Sequence, residues 1–416
     1  MTAEYGAASR AGIYGPVADW ATDIDHVDPA YNPQAPEIWA ELRESGCPVA
    51  HTDRYGGMWA PVTAERGRVG AYHPPHFTSR AVVVSTSTIE AEAPIGGAPP
   101  ITSDPPFHSL ARRLLLPPFT PKHIEPWEPD IRSLCRDRLD AMGEITPGST
   151  VVDAAEQYAQ HIPVNVIARM LGFPTDDDAL FRSFVHDILE GVNQAPEDRQ
   201  EAFQRFDDYI DGQIERHRAE PGDDLTSYLL DVEMDGAKLS LAHVRGSIVL
   251  LLLAGIDTTW SAIGSSIWHL ATHPGDRARL VAEPDLMPTA IEELLRAYAP
   301  VTMARMVAKD HDFHGCPMKV DEWVLLPFPA ANRDPALFDR ADEVVIDRLE
   351  NRHAAFGLGI HRCLGSNLAR LELRVAVEEF LARFPEFELD DPATVGWSVG
   401  QIRGPRRLPV RILAAT

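Results

Sequence analysis

The chain has 416 residues, 44% of them apolar and 24% charged. That is enough for two to three ordinary domains and for a large buried core that needs neither disulfides nor structural metals. Its 38 Lys and Arg against 62 Asp and Glu leave a net charge of −24, which excludes nucleic acid and anionic membrane as partners, because a negative surface repels phosphate.

The first residues carry no cationic segment followed by an apolar one, so no secretion signal is expected. Residues 1–35 are rich in Gly, Pro and Asp and are expected to wrap the surface. A helix is predicted near 36–45, with short strands around 56–62 and 80–84. The stretch 85–106 has no periodicity and reads as a long loop, ending in a turn before an amphipathic run at 108–116. Helical patterning then dominates, with helices near 121–142, 153–171, 177–192, 197–218, 224–231, 240–272 and 288–298. Strand-like pieces follow at 305–309 and 322–325. A Pro/Asp-rich meander covers 331–350, a Gly-rich loop 352–362, a long helix 364–383, and short strands close the chain. The longest apolar run, 248–256, is about half of a bilayer crossing. The expectation is a soluble, cytoplasmic, mainly α protein with a small β portion, and an alternating βαβ fold is disfavoured.

Four cysteines, Cys47, Cys135, Cys316 and Cys363, form no CxxC pair, which speaks against zinc-ribbon or iron–sulfur sites and for a reducing compartment. Cys363 stands apart. It ends Phe356-Gly357-Leu358-Gly359-Ile360-His361-Arg362-Cys363-Leu364-Gly365, just before the long helix. Glycines let backbone approach a flat ligand, and a helix N-terminus favours a thiolate. Such a sulfur suits one soft-metal bond or nucleophilic catalysis; the bland alternative is a buried free thiol.

The order Phe-x-x-Gly-x-His-x-Cys-x-Gly resembles the haem-binding loop of the cytochrome P-450 superfamily. The resemblance implies that fold, with haem held between the long central helix and the helix after the cysteine loop. It makes Cys363 the axial iron ligand and Phe356 its packing neighbour. Gly357 and Gly365 shape the loop, and His361 meets a haem propionate.

The predicted helix 240–272 spans roughly 45–50 Å at 1.5 Å per residue and is apolar nearly all round. Within it, an Asp257-Thr258-Thr259 cluster is costly unless hydrogen-bonded or used. By itself this is a polar kink satisfied by backbone. Ala254-Gly255-Ile256-Asp257-Thr258-Thr259 also resembles the family's oxygen-binding motif. That implies Ala254 and Gly255 giving room to haem and dioxygen, Thr258 hydrogen-bonding the dioxygen, and Asp257 relaying protons.

Glu293 and Arg296 are an i,i+3 pair, most often a solvated helix bridge. Their place before 300–305 resembles the family's Glu-Arg-Arg triad, completed by Arg348 and bracing the cysteine loop. Ala341 and Val344 stand where the family often has Pro and Phe. His108 and Arg112 share a helix face and would be an ordinary surface pair. The resemblance assigns them, with Arg305 and His361, to the propionates. Arg113, Arg352 and Arg362 are candidates for a basic patch receiving an acidic donor.

By the same resemblance the substrate pocket takes in Ile89, Ile95, Leu189, Val192, Leu250, Val301, Met303 and Ile402. All of this implies one catalytic unit spanning 1–416: a helix-rich core about 108–300 and 364–383, and a β-rich part about 50–85, 301–330 and 384–416. It would be a monooxygenase carrying haem b (iron protoporphyrin IX) with O2 as co-substrate. It would insert one oxygen atom into a small or medium hydrophobic substrate by hydroxylation, O-dealkylation or epoxidation. Electrons would come from a separate ferredoxin-type donor and its NAD(P)H-dependent reductase. The alternatives are a peroxide-driven hydroxylase, a non-catalytic haem sensor, or a haem-free helical protein with Cys363 merely buried.

Overall fold

The computed structural model describes residues 14–45, 49–72, 75–84, 97–190 and 196–416. Ile89, Ile95, Val192 and Cys47 lie outside the described residues. Helices dominate, with small sheets beside them.

The centre of the fold is the helix Leu241–Thr272, whose start is fixed by the Ser240 hydroxyl accepting from the His243 N–H. It is long and apolar enough to cross a membrane, but 67% of its most apolar window is buried inside the protein. Neighbours cover it on several sides: the helices His161–Leu171 and Ser366–Arg383 and the strand Pro405–Arg407. Missing side chains set how closely two of these pack. A Cβ on Gly264 would come within 2.8 Å of Pro405 Cγ, and one on Gly404 would run into Ser261. The C-terminal strand therefore lies hard against the central helix.

The main sheet has five strands: Val49–Thr52, Met58–Pro61, Trp323–Pro327, Thr302–Val307 and Phe77–Thr78, in that order. Its Trp323–Pro327 and Met58–Pro61 strands run parallel and the other pairs antiparallel. A three-stranded sheet joins Glu386–Leu389, Pro409–Ala414 and Val151–Asp153.

Several expectations change. Residues 80–84 form no strand; the pairing segment is Phe77–Thr78. The described part of the N-terminal segment is not a surface wrap: Ile24, Val27 and Tyr31 are at most 2% exposed and pack into the β-side core. Arg54, ion-paired with Asp23 and Asp25, ties that segment down, so its polar composition reflects an internal network. The helices Ala64–Tyr72 and Pro274–Ala282 and the strand Val151–Asp153 are additions. The last two lie against other elements, where packing rather than local pattern decides.

Candidate active site

The loop before Cys363 is braced from below. Arg296 and Glu293, both fully buried, pair through Nε–Oε2 at 2.8 Å and Nη2–Oε1 at 2.9 Å. Arg348 Nε donates to Glu293 Oε2 at 3.0 Å, and the Val345 N–H donates to Oε1 at 2.8 Å. Arg296 also donates to the carbonyls of Asn332, Ala341 and Glu343. Burial alone raises the Glu293 carboxyl, but these donors outweigh it and hold it below its ordinary value. Glu293, Arg296 and Arg348 are thus one cluster that staples the meander 332–348 to the helix Met287–Ala297. Asn332 carries the brace onward, its Oδ1 accepting from the Ala354 N–H at 2.7 Å at the mouth of the cysteine loop.

In that loop Gly357 and Gly359 adopt positive φ, +69° and +70°. A Cβ on Gly359 would meet the Ala71 carbonyl at 2.5 Å, so glycine is required twice over there. The Cys363 N–H donates to the Phe356 carbonyl at 2.7 Å, which turns the sulfur toward the helix N-terminus at Gly365. Burial pushes the Cys363 thiol up, while the Gly365 N–H, Arg112, Arg370 and Arg362 pull it back. Cys363 is nevertheless exposed, and the surface it shows opens on a cavity that it lines.

That cavity has a volume of about 210 Å³. Phe356, Gly357, His361, Cys363, Leu364 and Gly365 line one side; Ala254, Gly255, Thr258, Thr259 and Ala262 of the central helix line another. Leu250, Val301 and Met303 are also in the wall, with Pro100, Ile101, Ile167 and Leu251. Leu189 and Ile402 are not. The Leu189 carbonyl lies near Gly400, and Ile402 pairs with Val301 in an isolated antiparallel bridge.

Gly255 lines the cavity through its backbone, but a Cβ there would come 3.0 Å from Ile167 Cγ1. The glycine also lets two helices approach, beyond making room for a ligand. Thr258 donates to the Ala254 carbonyl at 3.0 Å, the back-bond open to a helical threonine. Asp257 does not line the cavity. It is fully buried behind the helix, with Oδ1 accepting from Arg406 Nη2 at 2.5 Å and from the Ser261 hydroxyl at 3.3 Å.

Cations gather at one edge. Arg112 and Arg305 line the cavity with His361. The His108 and His361 rings meet edge to face at 4.4 Å. The Ser79 hydroxyl and His361 Nε2 are hydrogen-bonded at 2.9 Å. His108 is 2% exposed, and among the described residues neither ring nitrogen completes a hydrogen bond, although the Ile360 backbone approaches. Arg305 is 4% exposed and gives one hydrogen bond, to the Ala304 carbonyl. Among the described residues neither Arg112 nor Arg305 forms an ion pair with a carboxylate. Burial lowers Arg305 to about 10, with Asp104 opposing. Burial, then Arg305, His108 and Arg112, drive the His361 ring far below its ordinary value.

Buried cations and orphaned imidazole nitrogens are costly unless an anion faces them. A flat apolar slot with one sulfur opposite small helix residues, and two arginines and two histidines along one edge, fits a porphyrin bearing two carboxylates and a metal that takes a thiolate.

Comparison with known proteins agrees. The cytochrome P450 family profile matches residues 77–395. Over 316 residues the chain is 36% identical to the mycinamicin IV hydroxylase/epoxidase of Micromonospora griseorubida, covering 74% of this chain and 79% of that one. It is 35% identical over 318 residues to the steroid C26-monooxygenase of Mycolicibacterium smegmatis, covering 74% and 78%. The crystal structure of CYP109E1 from Bacillus megaterium in complex with testosterone superposes with a TM-score of 0.82 at 29% identity, covering 92% of this chain and 98% of that one. The chain belongs to the cytochrome P450 family. It is a haem-thiolate monooxygenase.

Some residues at the site carry no sequence signal. Arg406 meets Asp257 only through the packing of a strand 149 positions away. Glu372, 2% exposed and with Oε1 unpartnered among the described residues, lines the cavity, and burial pushes its carboxyl well up. Its position two turns into the helix after Cys363 gave only a period, not a partner.

Proposed function

We propose that this enzyme inserts one atom of O2 into an uncharged, medium-sized, predominantly apolar substrate, using haem b and electrons from a ferredoxin-type donor with its NAD(P)H-dependent reductase, in the cytoplasm. The observation that carries the substrate class is the wall around Ala254 and Thr258. It is built from Ile101, Ile167, Leu250, Leu251, Val301 and Met303, with no charged side chain among them. Such a wall recognises shape and apolar area and offers nothing to a carboxylate or ammonium. The names of the steroid C26-monooxygenase and of the testosterone complex support the same class by similarity.

When bound, haem supplies oxygen activation, and thiolate ligation by Cys363 favours O–O cleavage. The chain's own residues do the rest. Cys363 offers its sulfur from a loop braced by Glu293, Arg296 and Arg348. Arg112 and Arg305 would neutralise the propionates, and His108 and His361 would add neutral N–H donors beside them. Thr258 presents a hydroxyl to the cavity, and Asp257 holds the proton that the hydroxyl passes on. The apolar wall excludes bulk water, which limits electron loss. Arg113, Arg352 and Arg362 are exposed and supply a positive face for an acidic electron donor on an otherwise negative molecule.

The test is turnover with ferredoxin, reductase and 18O2 on a panel of uncharged steroids, macrolides and terpenoids. One labelled oxygen per product is expected, together with a substrate-induced spin-state change. Product that forms only with added peroxide, without label from O2, contradicts the reading.

A further inference from the structure

The Asp257 side chain is one end of a buried three-group cluster. Arg406 reaches in from the strand Pro405–Arg407 and uses all three of its nitrogens. Nε donates to Glu190 Oε1, Nη1 to the Ser261 hydroxyl at 2.9 Å, and Nη2 to Asp257 Oδ1 at 2.5 Å. Its guanidinium carbon sits 4.4 Å from the Trp260 ring centre. The side chains are 3% exposed for Arg406, 10% for Glu190 and 0% for Asp257. The strand is held at this depth by Gly404 against Ser261 and by Gly264 against Pro405, so the arginine has little freedom to choose between its partners.

Among the described residues the cluster has two carboxylates for one guanidinium. With both ionised, its charge is −1 in a place almost without water. One added proton makes it neutral, and burial favours the neutral form. The two acids are not equal candidates. Glu190 keeps an exposed rim, whereas Asp257 is wholly enclosed and its Oδ2 is buried with no hydrogen-bond partner among the described residues. An ionised carboxylate would leave that oxygen both charged and unsolvated; a protonated one would not.

We infer that Glu190 and Arg406 are positioning residues that together keep one transferable proton on Asp257. Glu190 holds part of the arginine's charge away from Asp257, so the proton stays on Oδ2. When Asp257 gives this proton to the Thr258 hydroxyl oxygen, Thr258 releases its own hydroxyl proton to the oxygen being reduced in the cavity, so two O–H bonds break and two form, and the cluster goes from neutral to −1. Arg406 then stabilises the new carboxylate until a proton returns, and the rim of Glu190 is the cluster's most exposed acid. Burial, with Glu190 adding and Arg406 and Ser261 opposing, sets Asp257 above its ordinary range. Among the described residues these are the charged and hydroxyl groups that face it from the strand, from the turn His186–Glu190 and from its own helix.

The inference rests on Asp257 being the proton donor, and two readouts separate them. The first is a carboxyl-carbon NMR titration of 13C-aspartate-labelled holoenzyme in its diamagnetic ferrous carbonyl form, with the Asp257 signal assigned by D257N. The wild-type midpoint should lie near 6. In the isosteric E190Q variant it should fall by about one unit or more, roughly a tenfold loss of proton affinity. The second readout is product formed per electron against pH, whose decline should move downward in E190Q by the same amount. R406K tests the other arm, because a weaker cation should move the Asp257 midpoint upward. An Asp257 signal that is ionised throughout, or a midpoint unmoved by E190Q, overturns the inference. A midpoint that moves while the coupling profile stays fixed overturns the donor role of Asp257 and leaves the stored proton without a task.

Discussion

Thr258 and Asp257 are adjacent in sequence and point to different surroundings, one to the cavity and one to a buried arginine. That division gives each a separate signature. Removing the hydroxyl in T258A should leave haem binding intact and lower product per electron about tenfold or more, with the electrons recovered as hydrogen peroxide; a peroxide assay against product yield measures it. Asp257 also leaves a mark on stability. Its folded-state value is raised to about 6 by burial, so the folded protein binds a proton there that the unfolded chain has already lost. The stabilisation is full below the ordinary carboxyl value and is lost as pH rises through about 6. Chemical denaturation between pH 4 and 7 should show that decline in the wild type and a flatter curve in D257N. Cys363, Thr258 and Asp257 were legible as candidates through the resemblance of their motifs to the family's, since on the residues alone a buried thiol and a backbone-satisfied polar kink fit as well. The direction that Asp257 faces was not legible, since it depends on a strand that meets the helix only in the folded chain.

At the scale of elements, the cysteine loop depends on a brace and the central helix on close approaches. Glu293 and Arg296 are wholly buried, so breaking the pair leaves an uncompensated charge, a loss of about 3–5 kcal/mol. R296A should therefore give much less haem-loaded protein, measured by the haem-to-protein ratio after purification. R348A, whose partner remains paired with Arg296, should cost less. The strand–helix contact is tested by G404A. An added Cβ runs into Ser261, and the strand must shift at a cost of about 1–3 kcal/mol. Because Arg406 rides on that strand, coupling should fall along with thermal stability. The helices were readable because their period is strong and Gly or Pro ends them. The strands at 56–62 and 322–325 were also readable, whereas Phe77–Thr78, Val151–Asp153, the helix Ala64–Tyr72 and the buried N-terminal segment were not, because tertiary partners determine them. That Leu189 and Ile402 are not among the described residues lining the cavity has the same origin. Each is near a wall residue in sequence or pairing, and which side chain faces the cavity is a property of packing.

For the whole molecule, the net charge of −24 is at odds with accepting electrons from another acidic protein unless a positive face is kept free. Arg113, Arg352 and Arg362 are exposed near the cysteine side, and Arg112 is tied to that loop through the Arg362 carbonyl at 2.5 Å. Reversing two of them in R113E/R352E should slow reduction by an acidic ferredoxin about tenfold at low salt and flatten its ionic-strength dependence, as stopped-flow reduction would record. Substrate-induced spectral change should be untouched. The account as a whole depends on one bond. The reduced holoenzyme under carbon monoxide should show the red-shifted Soret band of a thiolate–iron adduct, and C363H should retain haem but lose the shift. An unshifted band in the intact protein, or a shifted one surviving in C363H, would contradict it.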